Sequence, residues 1–188
     1  ETAKLRDPNR IVLELDLRAG RTLAMSIEPE DVRALKEKYP GLPVVTYVNT
    51  SAAVKAECDI CCTSGNAKEI VESLGVPTVI MVPDRYLAQN VAKTTDVQII
   101  PWRGSCKVHE LFSPKEIQEA RAQNPGLSVA AHPECPAEVV DEADFMGSTV
   151  KISNWVNDNR PEKVMLMTES SMSDNVSVQY PDLQFVKP

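Results

Sequence analysis

The stretch "SPKEIQEARAQNPGLSVAAHPECP" (113–136) lies over "EPEDVRALKEKYPGLPVVTYVNTS" (28–51) at a constant offset of 85 residues. Pro114 falls on Pro29, Pro125-Gly126-Leu127 on Pro40-Gly41-Leu42, and Val129 on Val44. The register continues without a gap: "ADFMGST" (143–149) overlies "CDICCTS" (58–64), and "KVMLMTE" (163–169) overlies "TVIMVPD" (78–84). Chance matches seldom keep step over so long a run, so the chain holds two copies of one unit.

Each copy alternates short apolar runs with helical patterns. "EPEDVRALKEKYPG" (28–41) opens with Pro29 and acids and then spaces Val32, Leu35 and Tyr39 helically. After it the spacing predicts strand 43–49, helix 51–57, strand 59–64, helix 66–75, strand 78–84, helix 85–95 and strand 97–102. "RIVLEL" (10–15) reads as a further short strand. Strands and helices in this rhythm indicate parallel βαβ units and an α/β fold.

Composition narrows the function. The chain has 188 residues, 43% hydrophobic, with a net charge of −7 and a pI of about 4.9. No basic patch stands out, which argues against nucleic acid. No apolar run approaches the roughly 18–20 residues of a membrane helix. "ETAKLRDPNR" lacks the pattern of a signal peptide, and five cysteines, three of them in "CDICC", have no disulfide spacing. Reduced thiols in a cytosol are the expectation. "ETAK" reads as the tail of a helix and "LQFVKP" stops as a strand ends, so both ends read as cuts.

Cys106 and His109 in "WRGSCKVHELF" (102–112) suggest a metal half-site or a dyad. The repeat bears on them. "VLELDLRAGR" (12–21) lies over "VQIIPWRGSC" (97–106), placing Arg18 on Arg103 and Arg21 on Cys106, while the next equivalent falls at 191, past the end. Three such units around a pseudo-threefold axis would bring equivalent loops together, so Cys106 reads as one third of a site and His109 as its pocket neighbour rather than its dyad partner.

Ligands of parallel α/β units sit beyond the carboxyl ends of the strands. Polar residues gather there: Tyr47, Asn49, Thr63 and Ser64 in one copy, His132, Glu134, Ser148 and Thr149 in the other. Tyr47 superposes on His132, Asn49 on Glu134 and Ser64 on Thr149, as for two walls of one cleft. His132 and Glu134, two apart on an extended segment, could form a tuned proton-transfer pair or a merely structural one. Ser64 and Thr149 could hold a phosphate or carboxylate, or act as plain helix caps. Cys58, Cys61, Cys62 and Cys135 read as buried packing residues.

With these residues in view, "YVNTSAAVKA" (47–56), "CDICCTSGNA" (58–67), "WRGSCKVHELF" (102–112), "HPECPAEVVDEADFMGST" (132–149) and "TESSMSDN" (168–175) closely resemble quinolinate synthase, the iron–sulfur enzyme of de novo NAD synthesis. The resemblance covers nearly the whole chain. It implies a fold of pseudo-symmetric, repeated three-layer α/β/α domains with short parallel sheets, two of the family's three being present. On that plan residues 1–24 are the remnant of a first domain ending in its axial loop, 25–109 a second domain and 110–188 a third. It further implies that iminoaspartate and dihydroxyacetone phosphate condense and dehydrate to quinolinate in the cytoplasm, on a [4Fe–4S] cluster with one open iron.

Carried over by position, the resemblance makes Cys106 the metal ligand and His132, Glu134 and Tyr47 catalytic. Tyr47, Asn49, Ser64, His109, His132, Ser148 and Thr149 bind substrate. This chain departs from the pattern where the first cluster cysteine falls on Arg21, which cannot replace a thiolate, and where the third would lie beyond Pro188. It is not expected to complete the cluster or to work alone. Two alternatives remain: a non-catalytic relative that binds a dicarboxylate or partner, with Arg21 holding the anion, and a mononuclear metal hydrolase using His109, His132 and Glu134. Oligomeric state stays open.

Overall fold

The computed structural model of the chain describes residues 2–13 and 20–188. The first sheet joins β1 (Val44–Tyr47), β2 (Ile60–Cys62), β3 (Thr78–Val82) and β4 (Gln98–Pro101) in the order β2-β1-β3-β4; the second joins β5 (Ser128–Ala131), β6 (Phe145–Met146), β7 (Lys163–Met167) and β8 (Gln184–Val186) in the order β6-β5-β7-β8. Every pairing between these strands is parallel. The helices are α1 (Thr2–Arg6), α2 (Pro29–Lys38), α3 (Ala52–Glu57), α4 (Ala67–Ser73), α5 (Arg85–Ala92), α6 (Pro114–Gln123), α7 (Ala137–Glu142), α8 (Thr149–Asn159) and α9 (Ser170–Gln179).

The repeat is a repeat of backbone as well as sequence. Val45 pairs with Ile60 and Met81; 85 residues on, Ala130 pairs with Phe145 and Leu166. α2 and α6 both start on proline under a reciprocal cap, Glu28 with Asp31 and Ser113 with Glu116. The turns that follow them carry Gly41 at φ 82° and Gly126 at φ 79°, where a side chain would strain the backbone. Asp59 accepts from Val44 N at 2.7 Å, and Asp144 from Val129 N at 2.8 Å, tying each edge loop to its central strand.

Apolar alternation decides the layers. Val44, Ile80 and Val82 face α2 and α3 through Val32 and Val54, whereas Val45, Val79 and Met81 face α4 and α5 through Val71 and Leu87. The second sheet packs Val129 and Met165 under α6 and α7, and Ala130, Val164 and Leu166 under α8 and α9. With both faces covered, the central strands are mostly apolar, and the buried Thr46 of β1 is satisfied by the Thr50 hydroxyl at 3.1 Å. No helix among the described residues is long and apolar enough to cross a membrane.

Three expectations change. Residues 10–13 form no strand, and 14–15 and Arg18 lie outside the described residues. Cys61 is exposed, not buried, because β2 is an edge strand. The offset grows by one before β8: Thr78 faces Gln98, but Lys163 faces Gln184, 86 residues further on. α9 is 10 residues long against 8 in α5 and absorbs the insertion.

Candidate active site

The carboxyl ends of β1 and β5 open on one cleft of about 450 Å³. Tyr47 and Asn49 enter from β1, His132 and Glu134 from the turn after β5, His109 from a 3-10 turn (His109–Leu111), and Thr149 from the start of α8. Cys135 N donates to His132 O at 2.9 Å, closing the 132–135 turn, and His132 N adds a last ladder bond to Met167 O. Asn90, buried on α5 of the first unit, donates to Pro133 O and Cys135 O, both at 3.0 Å. One unit thus holds the chemical turn of the other.

At the floor of the cleft, His109 Nδ1 lies 3.1 Å from Cys106 Sγ and 2.9 Å from Glu134 Oε2. Its Nε2 lies 3.2 Å from Thr168 Oγ1, and its ring stacks on His132 with centroids 4.8 Å apart. The buried Asp84 accepts from Leu87 N at 2.7 Å and Cys106 N at 3.0 Å, so the helix cap of α5 also fixes the Cys106 loop. Glu134 Oε1 is buried and meets no hydrogen-bond partner among the described residues.

These contacts set the charge pattern. Burial alone would lower His109, but its bonds to Cys106 and to the Glu134 carboxylate outweigh it and raise the imidazole to about 9. Burial would raise Glu134; the hydrogen bond and charge of His109, with help from the Tyr47 hydroxyl and the nearby His132, instead hold it near 2. His132 falls to about 4, through burial first and then the charge on His109, against the pull of Glu134. Burial and the Glu134 charge push the Tyr47 phenol far up, with the Ser64 hydroxyl opposing. Asp84 rises to about 7 by burial, although its backbone donors stabilise the anion. Near neutral pH the cleft therefore sets an imidazolium–carboxylate pair beside a neutral imidazole and a neutral phenol, which is equipment for moving protons.

Tyr47, Asn49, His109, His132, Glu134 and Thr149 are brought together. Ser64 and Ser148 line an adjoining shallower depression that shares Thr149, and Ser148 caps α8 by accepting from Lys151 N. Two sequence readings are corrected. His132 and Glu134 do not form a local imidazole–carboxylate pair, because residues 132–135 turn and the carboxylate faces His109. Cys106 and His109 are in direct contact rather than mere neighbours. Asp84, Asn90 and Thr168 were missed. An asparagine among Leu87, Ala88 and Val91 on the buried face of α5 was a legible signal, and Asp84 at the strand-to-helix junction was another. Thr168 had none, since its repeat mate is Pro83.

A [4Fe–4S] cluster needs thiolates converging on one point. Among the described cysteines, Cys106 is the one whose thiol touches a cleft-lining side chain by hydrogen bond, at His109 Nδ1, 3.1 Å away. Arg21 lines the cleft and donates through Nη2 to Glu169 Oε1 at 2.6 Å. Cys135 spends its S–H on Met167 O at 3.2 Å, Cys58 and Cys62 belong to the cores of the first sheet, and Cys61 is exposed. The described residues do not fit a complete cluster.

The whole chain, residues 1–188, matches the family model described as quinolinate synthetase A protein. It is 62% identical over 188 residues to quinolinate synthase 2 of Mesorhizobium japonicum, covering all of this chain and 58% of that protein. It is equally similar, 62% over 188 residues, to the quinolinate synthase of Agrobacterium fabrum, of which it covers 54%. Against the Caulobacter vibrioides quinolinate synthase the identity is 51% over 192 residues, with 52% of that protein covered. The chain spans about half the length of the curated relatives it matches.

Proposed function

The chain belongs to the quinolinate synthetase A family, and from that premise we propose that the complete protein is a quinolinate synthase of NAD biosynthesis. It condenses iminoaspartate with dihydroxyacetone phosphate and dehydrates the product to quinolinate, in the cytoplasm. The observation that carries this reading is the buried His109–Glu134 pair with His132 stacked upon it. Enolisation and dehydration need one group that takes a proton and another that returns it. His132, kept neutral, is the acceptor; the His109–Glu134 pair stores and returns the proton; Tyr47, kept neutral, donates a hydrogen bond to developing negative charge. Asn49 orients the substrate, while Thr149 with Ser64 and Ser148 receives its carboxylates or phosphate beside the N-terminus of α8.

Cys106 is the residue, among those described, suited to ligate the family's cluster, which when bound would supply a Lewis acid. The test is quinolinate formation by the complete protein, purified anaerobically and given both substrates. Product is expected, and it is expected to fall away with His132→Ala and Glu134→Gln. Absence of product, or full activity in both variants, would overturn the assignment.

A second reading has one observation in its favour. The Arg21–Glu169 pair stands where a repeated thiol would stand and offers a guanidinium to an anion. A relative that only binds a dicarboxylate would take up pyridine-2,3-dicarboxylate without iron in calorimetry and lose it on Arg21→Ala.

A further inference from the structure

We propose that a cavity between the two units is a second binding site, for a small amino dicarboxylate of the aspartate type. Its carboxylates sit on Lys68 and Lys151, and its ammonium is turned toward Glu69. The cavity is about 310 Å³ and takes its walls from both copies, a size that suits a small metabolite. Lys68 and Glu69 come from α4, Asn90 from α5, Pro133 from the turn after β5, and Lys151 from α8. None of its lining residues lines the substrate cleft. Ser64 and Gly65 line both this cavity and the depression that holds Ser148 and Thr149.

The lining dictates the ligand. Two ammonium groups and one carboxylate stand around the cavity, a pattern matched by a molecule with two negative groups and one positive. Lys151 and Glu69 have no side-chain partner among the described residues, and Lys68 reaches Glu72 only at 3.8 Å. Asn90 adds an independent sign. It is wholly buried, and its Nδ2 is committed to Pro133 O and Cys135 O. Its Oδ1 meets no donor among the described residues. An amide held in this way cannot exchange its ends, so the oxygen is left to a donor from the cavity, and an ammonium serves both it and Glu69. A phosphate ester would satisfy the lysines but would bring further negative charge against Glu69 and the amide oxygen. Val91, Pro133 and Met146 cover the carbon chain. The site rests on these walls alone. Its link to the reaction rests on the functional reading above, in which the substrate is the imine of the same skeleton.

The test is calorimetry of the complete protein with L-aspartate as probe, after the cleft has been filled with pyridine-2,3-dicarboxylate. Equimolar binding of aspartate is expected with that compound present. Lys68→Ala should weaken it about tenfold, the loss of one charge-assisted bond, and Lys68→Arg should restore most of it. Lys68 is the position to change because Lys151 also lines the Ser148–Thr149 depression. Succinate, which lacks the ammonium, should bind about tenfold more weakly than aspartate, and Glu69→Gln should narrow that gap. A folded protein that takes up no aspartate would overturn the site. So would uptake that vanishes once the cleft is filled, uptake untouched by Lys68→Ala, or succinate binding as well as aspartate. Quinolinate formation is measured on the same preparation. A protein that makes quinolinate without binding aspartate loses this site and keeps the functional reading; one that binds aspartate at Lys68 and makes no quinolinate does the reverse.

Discussion

The first and second sheets have the same strand order, the same central register and the same aspartate strut, yet they present opposite chemistry at their carboxyl ends. Tyr47 and Asn49 in one copy become His132 and Glu134 in the other. Asp84, buried and gripping the Cys106 loop, becomes Glu169, half-buried and gripping Arg21. Frame residues are held in common because they satisfy backbone groups that exist in both copies. Strand-end side chains answer to no such demand and are free to diverge, so the repeat separates what builds the fold from what acts within it. Even there one constraint is shared: burial keeps both Tyr47 and His132 neutral, the phenol by raising it and the imidazole by lowering it.

That contrast can be broken at several points. The largest effect is expected at Glu134→Gln, which should lower quinolinate formation by about 10²–10⁴-fold as a proton-transfer group is lost. Its repeat mate, Asn49→Ala, should lose one oriented hydrogen bond, about 1 kcal/mol or roughly fivefold. Equal losses at both positions would mean that the two walls do the same work.

The two histidines should differ by several pH units when followed by NMR in the metal-free protein. His109 is expected to lose its proton near 9 and His132 near 4. Because the folded value of His109 is raised, its stabilisation is complete below its ordinary 6.5 and disappears as the pH climbs through about 9. His132 works the other way: its folded value is lowered, so stability is withdrawn as the pH falls from 6.5 toward 4. A shared midpoint near 6.5 would dissolve the buried pair.

Asn90→Ala leaves two buried carbonyls without donors and should reduce stability by about 2–3 kcal/mol in urea titration. Turnover should fall with it, and Asn90→Asp, which cannot donate, should do no better. The struts Asp59→Ala and Asp144→Ala should each cost about 1–2 kcal/mol, matched within about 0.5; a marked inequality would show that the copies do not share a frame. The smallest effect belongs to Arg21→Ala. Its ion pair is half exposed, so its removal should change stability by less than about 1 kcal/mol.

The sequence reading went furthest where physics is local. Pro29 and Pro114, Gly41 and Gly126 and the apolar strands announce themselves within a few residues, and a second copy in register doubles each signal. It failed where partners are distant. Nothing in "HPEC" says that Glu134 turns toward His109, 25 positions back, because that choice is made when the two units dock. Cys61 was misjudged for the same reason: a strand's apolar spelling does not say whether it lies at an edge. The extra residue before β8 escaped because helix α9 accommodates it without altering the local pattern.

Asn90 carries a consequence of its own. It sits in one copy, and the two carbonyls it holds lie on either side of Glu134 in the other. The turn closes on itself through Cys135 N and His132 O, but two of its carbonyls find their donor only in the other copy. A change at position 90 is therefore answerable at 132–135. In that sense the chemistry belongs to the contact between the copies rather than to either one.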